Sequence, residues 1–184
     1  MRASATPIGR WVSPVLAVAL VACSGPAPEP TDSAAFAADR EGDFELTIAS
    51  DRSQYRTSDV IPVLATLTYH GAGESTLSGP SAGPIGFTVI RVTDGLTPGE
   101  PGFRLDCGSH EFREGASMRT DFRKSGGITD DTPNVDFVEA YFADPELHLP
   151  TGRWRVIALT AASLDACGGP PLSLRVEIEI TVTD

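Results

Sequence analysis

The feature that most constrains this chain lies at its C-terminal end. Leu172, Leu174, Val176, Ile178, Ile180 and Val182 alternate without a fault against Ser173, Arg175, Glu177, Glu179 and Thr181. A strand turns successive side chains to opposite faces, so this period of two puts six apolar groups on one side and five polar groups on the other. A slip of one residue in pairing would bury Glu177 and Glu179 together, which fixes the register firmly. The segment therefore demands a sheet with one face covered. Phe44, Leu46 and Ile48 repeat the pattern, as do Ile61, Val63, Ala65, Leu67 and Tyr69, with Pro62 on the opposite face near the strand start, where a missing N–H is tolerated. Phe87–Val92 reads as a further strand. Trp154, Val156, Ala158 and Thr160 alternate with Arg153, Arg155, Ile157 and Leu159, and the apolar members of the second set predict a strand buried on both faces.

Shorter strands are expected at Glu74–Leu77, Phe103–Cys107, Ala116–Phe122 and Val135–Phe142, separated by stretches rich in Gly, Ser, Asp and Pro. The 18 Gly and 15 Pro approach a fifth of the 184 residues, against about an eighth in ordinary domains, and no helical stripe of comparable quality occurs. Residues 43–184 thus predict an all-β domain, an immunoglobulin-like β-sandwich of about seven to nine strands, with a small barrel as the alternative. No internal repeat divides it.

The N-terminal segment is an address. Arg2 and Arg10 precede an apolar run from Val12 to Ala22 that is about half the roughly 20 residues a membrane span requires. Leu20-Val21-Ala22-Cys23 resembles the lipobox of bacterial lipoproteins. That resemblance implies a signal peptide over residues 1–22, cleavage before Cys23 and acylation of Cys23 on its thiol and new amino group. The partner it implies is a membrane, cell or outer, held through a lipid anchor from the extracytoplasmic side. An ordinary secretory signal with Cys23 as a free thiol is the alternative. Residues 23–42, with three prolines and no apolar period, read as the lipidated Cys and a flexible, disordered tether. Loss of residues 1–22 removes two arginines and no acid, so the net charge goes from −11 to −13. That excludes nucleic acid and anionic lipid as charge-driven partners.

Three cysteines occur. With Cys23 assigned to the lipid, Cys107 and Cys167 remain, and an even pair in an exported chain reads as a disulfide, two separate buried thiols being the alternative. The bond would close a loop of roughly 60 residues, worth about 4 kcal/mol in the chain-entropy account.

Two stretches resemble known modules. Residues 49–63 resemble the opening strand pair of macroglobulin-type and proteinase-inhibitor-type immunoglobulin-like domains of bacteria: Tyr55, Asp59 and Ile61 match, while Ser58 stands where Gly is usual. Leu149-Pro150-Thr151-Gly152-Arg153-Trp154-Arg155-Val156 resembles the Pro-x-Gly-x-aromatic lead-in to a penultimate strand of such modules. The residues have structural tasks: Tyr55 corners a turn, Gly152 supplies a tight one, and Trp154 fills the core. The resemblance implies no protease trapping, since no thioester-type Cys-Gly-x-x-Gln motif is present.

Chemistry is sparse in the sequence. His70, His110 and His148 lie in separate segments, and none has a His or Cys partner at zinc-site spacing. Asp130-Asp131-Thr132-Pro133-Asn134-Val135-Asp136 gathers hard oxygen ligands but lacks the EF-hand spacing and its closing Glu, so it reads as a turn. No nucleophile elbow or phosphate-binding loop occurs. The expectation is no catalytic residue, no metal ligand and no cofactor. The expected function is that of a non-catalytic, membrane-anchored lipoprotein acting through an envelope or extracellular protein partner. Two alternatives are a protease inhibitor or envelope quality-control factor, using the Gly71–Gly86 or Ser125–Asn134 loop, and a calcium or small-ligand binding module.

Overall fold

A computed structural model describes residues 33–104 and 106–184. The signal peptide, Cys23 and residues 23–32 of the expected tether lie outside the described residues.

The chain from Ala35 onward forms twelve strands and one short helix, an all-β sandwich. The first sheet holds β1 (Ala35–Glu41), β2 (Phe44–Ser50), β4 (Val63–Tyr69) and β8 (Ser117–Asp121), side by side in the order β1-β2-β4-β8. The second holds β3 (Gln54–Arg56), β12 (Arg175–Thr183), β9 (Gly152–Thr160) and β6 (Ile85–Arg91), in that order. A third, at one flank, runs β11 (Pro171–Leu172), β10 (Ala162–Leu164), β5 (Glu74–Gly79), β7 (Gly108–Arg113). All pairings are antiparallel except β3 with β12.

The core follows from the alternation. Leu46 and Ile48 of β2, Val63, Ala65 and Leu67 of β4, and Val176, Ile178, Ile180 and Val182 of β12 are buried in one cluster, while Arg175, Glu177 and Glu179 stay exposed. Leu172 and Leu174 are buried as expected, but the strand breaks between them and Leu172 pairs with Ala162 in the flanking sheet. Strand β9 is covered on both faces at one point: Trp154, Val156 and Ala158 face the core, and Ile157 is also fully buried. Trp154 satisfies its indole N–H on the Pro150 carbonyl at 2.8 Å. Gly152 opens this strand with φ 145°, a region that costs any side chain strain, and a Cβ there would meet Arg91 at 3.3 Å.

Tyr55 makes the corner where the chain leaves the first sheet for the second. Its ring is buried, and its hydroxyl meets Ser50 Oγ at 2.6 Å, accepts from the Arg52 amide at 3.2 Å and donates to the Asp51 carboxylate. Burial and the Asp51 hydrogen bond push the phenol pKa up. The polar break at residues 51–54 is thus a sheet-switching corner, and from its last residue Gln54–Arg56 pair parallel to β12.

Three segments depart from expectation. Ala35–Glu41, inside the expected tether, is a strand paired along its whole length with β2, from Ala35 with Ser50 to Glu41 with Phe44. Gly42, at φ 57°, takes the first position of the two-residue turn between them. Only Ala35 and Ala37 press on the core, so the inward face has methyl groups for its apolar signal. The folded domain begins at Ala35, not at Asp43. Val135–Phe142, expected as a strand, is instead helix α1 (Val135–Ala143). Phe137, Val138, Tyr141 and Phe142 fall at i, i+1, i+4 and i+5, one helical face; Val138 and Tyr141 are buried, and Phe137 stacks on Trp154 at 5.8 Å between ring centres. Finally, the described residues of Phe103–Cys107 form no strand, which starts instead at Gly108. The described strands exceed the expected seven to nine because β1, β3, β10 and β11 are short or lack bulky alternation.

Cys107 and Cys167 are joined in a disulfide, with Cα atoms 6.2 Å apart. Cys107 precedes β7 and Cys167 lies between β10 and β11, so the bond ties together the two neighbours of β5. Replacing both by Ser is expected to lower the unfolding free energy by roughly 2–5 kcal/mol in urea denaturation. An unchanged midpoint would contradict this account of the flanking sheet.

Candidate functional site

The most concentrated set of chemically capable side chains lies on the segment that leaves helix α1. Pro145 disfavours helical backbone at the residue before it. Asp144 is accordingly extended, with φ −108° and ψ 129°, and the helix stops at Ala143. Leu147 and Leu149 then plug into the core at 2% exposure each, and the Ile61 amide donates to the Leu147 carbonyl at 2.9 Å. With these two turned inward and the chain bent at residues 144–146, Asp144, Glu146 and His148 come to the outer side together.

The three side chains converge. His148 Nε2 lies 3.6 Å from Asp144 Oδ2 and 3.7 Å from Glu146 Oε2. One donor atom from each lies within 4.8 Å of the others. Asp144 Oδ1 accepts from the Glu146 amide at 2.8 Å, which leaves Oδ2 for the imidazole side.

Lys124, from the chain just after β8, holds the base of this segment. Its ammonium donates to the Tyr141 carbonyl at 2.6 Å and the Asp144 carbonyl at 2.7 Å, two acceptors left open where the helix ends. It also lies 4.5 Å from the centre of the Tyr141 ring. Burial lowers the Lys124 pKa, and the Asp144 charge opposes that. Burial likewise raises the pKa of the Tyr141 phenol.

Beside the segment opens a groove of about 560 Å³, bounded by the end of β2, the start of β4 and residues 145–147. Its walls are apolar at Val60, Ile61, Phe122 and Leu147, and the charged groups among the described lining residues are the carboxylates Asp51, Asp121 and Glu146. Glu146 belongs to both the groove and the three-residue cluster.

The other residues singled out from sequence are dispersed. His70 stands 3.7 Å from Glu45, and His110 hydrogen-bonds the Pro80 carbonyl at 3.0 Å. Asp130, Asp131 and Asp136 are not gathered into a ligand cluster among the described residues. Their loop is a turn closed by the Thr132 amide on the Thr129 carbonyl at 3.0 Å. Half of Gly71–Gly86, expected mostly as a loop, belongs to β5 and the start of β6, with β5 covering the strand expected at Glu74–Leu77 and extending it to Gly79. Cys107 and Cys167 are consumed by their disulfide. In the sequence each histidine is weighed against His and Cys partners, and carboxylates only in the Asp130–Asp136 loop. The three side chains that converge here stand in the sequence as Asp144-x-Glu146-x-His148, interleaved with Leu147 and Leu149.

No protein-family model matches the sequence, and no curated protein is significantly similar to it.

Lys124→Met keeps most of the side-chain length and removes the donor. It is expected to destabilise the domain by roughly 1–3 kcal/mol, the cost of leaving partly buried carbonyls unpaired. The shift of the urea midpoint measures this, and Lys124→Arg should recover part of it.

Proposed function

We propose that this chain is an exported bacterial lipoprotein, held to a membrane through acylated Cys23, whose sandwich domain is a non-catalytic binding module. The observation that carries the reading is the cysteine bookkeeping. The fold pairs Cys107 with Cys167, as a chain exposed to an oxidising compartment would, and leaves Cys23 at the lipobox as the remaining cysteine of the chain. Acyl chains on that residue supply stable anchoring without a membrane span, because two or more chains together bind where one is marginal.

The groove beside helix α1 supports the binding role. Its apolar walls and carboxylate rim fit a protein segment that carries Lys or Arg on a partly apolar backbone, and the acidic chain would draw such a segment in.

Intact mass of the membrane-extracted protein tests the anchor. The expected mass begins at Cys23, includes a diacylglycerol and a fatty acid, and rises by two hydrogens on reduction. A mass without lipid would remove the anchor from the proposal. The groove is tested with a labelled peptide alternating Leu and Lys. Binding is expected to weaken at least fivefold on Asp121→Lys at unchanged melting temperature, and equal binding by both proteins would exclude the groove as the site.

A further inference from the structure

We propose that Asp144, Glu146 and His148 form a binding site for a divalent cation of the zinc class, with an open coordination position facing solvent. The site is distinct from the lipid anchor and does not depend on it.

The separations between donors carry the argument. Zinc bonds of about 2.0–2.2 Å to nitrogen and carboxylate oxygen set tetrahedral donor-to-donor distances of about 3.4 Å. The imidazole nitrogen lies 3.6 and 3.7 Å from the two carboxylate oxygens, close to that spacing. A charge-assisted hydrogen bond would have closed to about 2.7–2.9 Å. The imidazole thus stands from each carboxylate by about the span an ion fills, and the three donor atoms lie within 4.8 Å of one another.

The backbone beneath them is already fixed. Buried Leu147 and Leu149, the Ile61 to Leu147 hydrogen bond and the Lys124 strap on the Asp144 carbonyl hold the three donor-bearing residues in register. Binding therefore costs side-chain order and little backbone order. The ligand set selects the metal. Calcium and magnesium take oxygen donors in sets of six or more, whereas an imidazole with two carboxylates suits zinc and its first-row neighbours. Three protein ligands leave the fourth tetrahedral position for water or for a donor group on a partner. Glu146 also lines the groove, so a cation held by it would stand near the groove's rim.

The test is titration of the mature full-length chain, carrying Cys23→Ser so that no thiol competes, with zinc chloride in calorimetry and in thermal melts. The expected result is one zinc per chain, a melting temperature that rises with zinc concentration, and a tenfold or greater loss of affinity in His148→Ala. Asp144→Asn and Glu146→Gln should each weaken binding in the same direction. His70→Ala, which removes the imidazole beside Glu45, should bind as the parent does. Cobalt substituted for zinc should give the intense visible absorption of a tetrahedral centre. Circular dichroism of each variant without metal establishes that it is folded; if His148→Ala does not fold, His148→Gln replaces it. Absence of zinc binding, binding unaltered in a folded His148 variant, or preferential binding of calcium would each overturn the proposal.

Discussion

Everything in this fold depends on the inward face of β12 being covered. Its four buried aliphatic side chains, Val176 to Val182, can leave water only if β9 and β3 flank the strand and the first sheet closes over it. The outward face adds a restraint of a different kind. Arg153 reaches Glu179 at 2.6 Å and Arg155 reaches Glu177 at 3.5 Å, both in solvent. Such exposed pairs contribute little to stability. Their effect lies in register: shifting β12 by one residue would take both glutamates from water and set them into the apolar space where Ile178 and Ile180 now sit.

Legibility in the sequence tracked the size of the contrast between faces. Where bulky aliphatic residues oppose charged ones, as in β2, β4 and β12, the strands and their inward faces could be read directly. In β1 the contrast fails: Ala35 and Ala37 turn inward on the same face as Asp39 while the bulky Phe36 stays exposed on the other, and the strand is held by its hydrogen bonds to β2, which leave no mark on composition. Helix α1 failed to declare itself for another reason. Over nine residues, Val135, Phe137 and Tyr141 share one side of a strand pattern while Phe137, Val138 and Tyr141 share a helical face, and the buried face is chosen by what it packs against. Tertiary contact, including the stacking of Phe137 on Trp154, decides between the two.

The candidate site was hidden by a similar division. The residues that anchor it, Leu147 and Leu149, look like core, and those that form it, Asp144, Glu146 and His148, look like ordinary surface. Reading each histidine against other histidines and cysteines gave no sign of it. The meeting of the three donors is produced by Pro145 ending the helix, by the bend at residues 144–146 and by two leucines pinning the chain to the core. Lys124 then holds carbonyls at the helix end and at Asp144 from a different part of the chain. Local backbone rules and one long-range strap together make a cluster that no single window of sequence displays.

Strand β1 has a practical consequence for anyone who handles the domain apart from the N-terminal residues. Hydrophobic patterning invites a start at Asp43, and a recombinant domain cut there would lack the outermost strand of the first sheet. The edge of β2 would lie open over seven residues, its amides and carbonyls free to recruit another chain, with Phe44, Leu46 and Ile48 directly behind. The alanine-rich strand, negligible as a source of apolar burial, works as the hem that keeps the sheet from fraying into its neighbours.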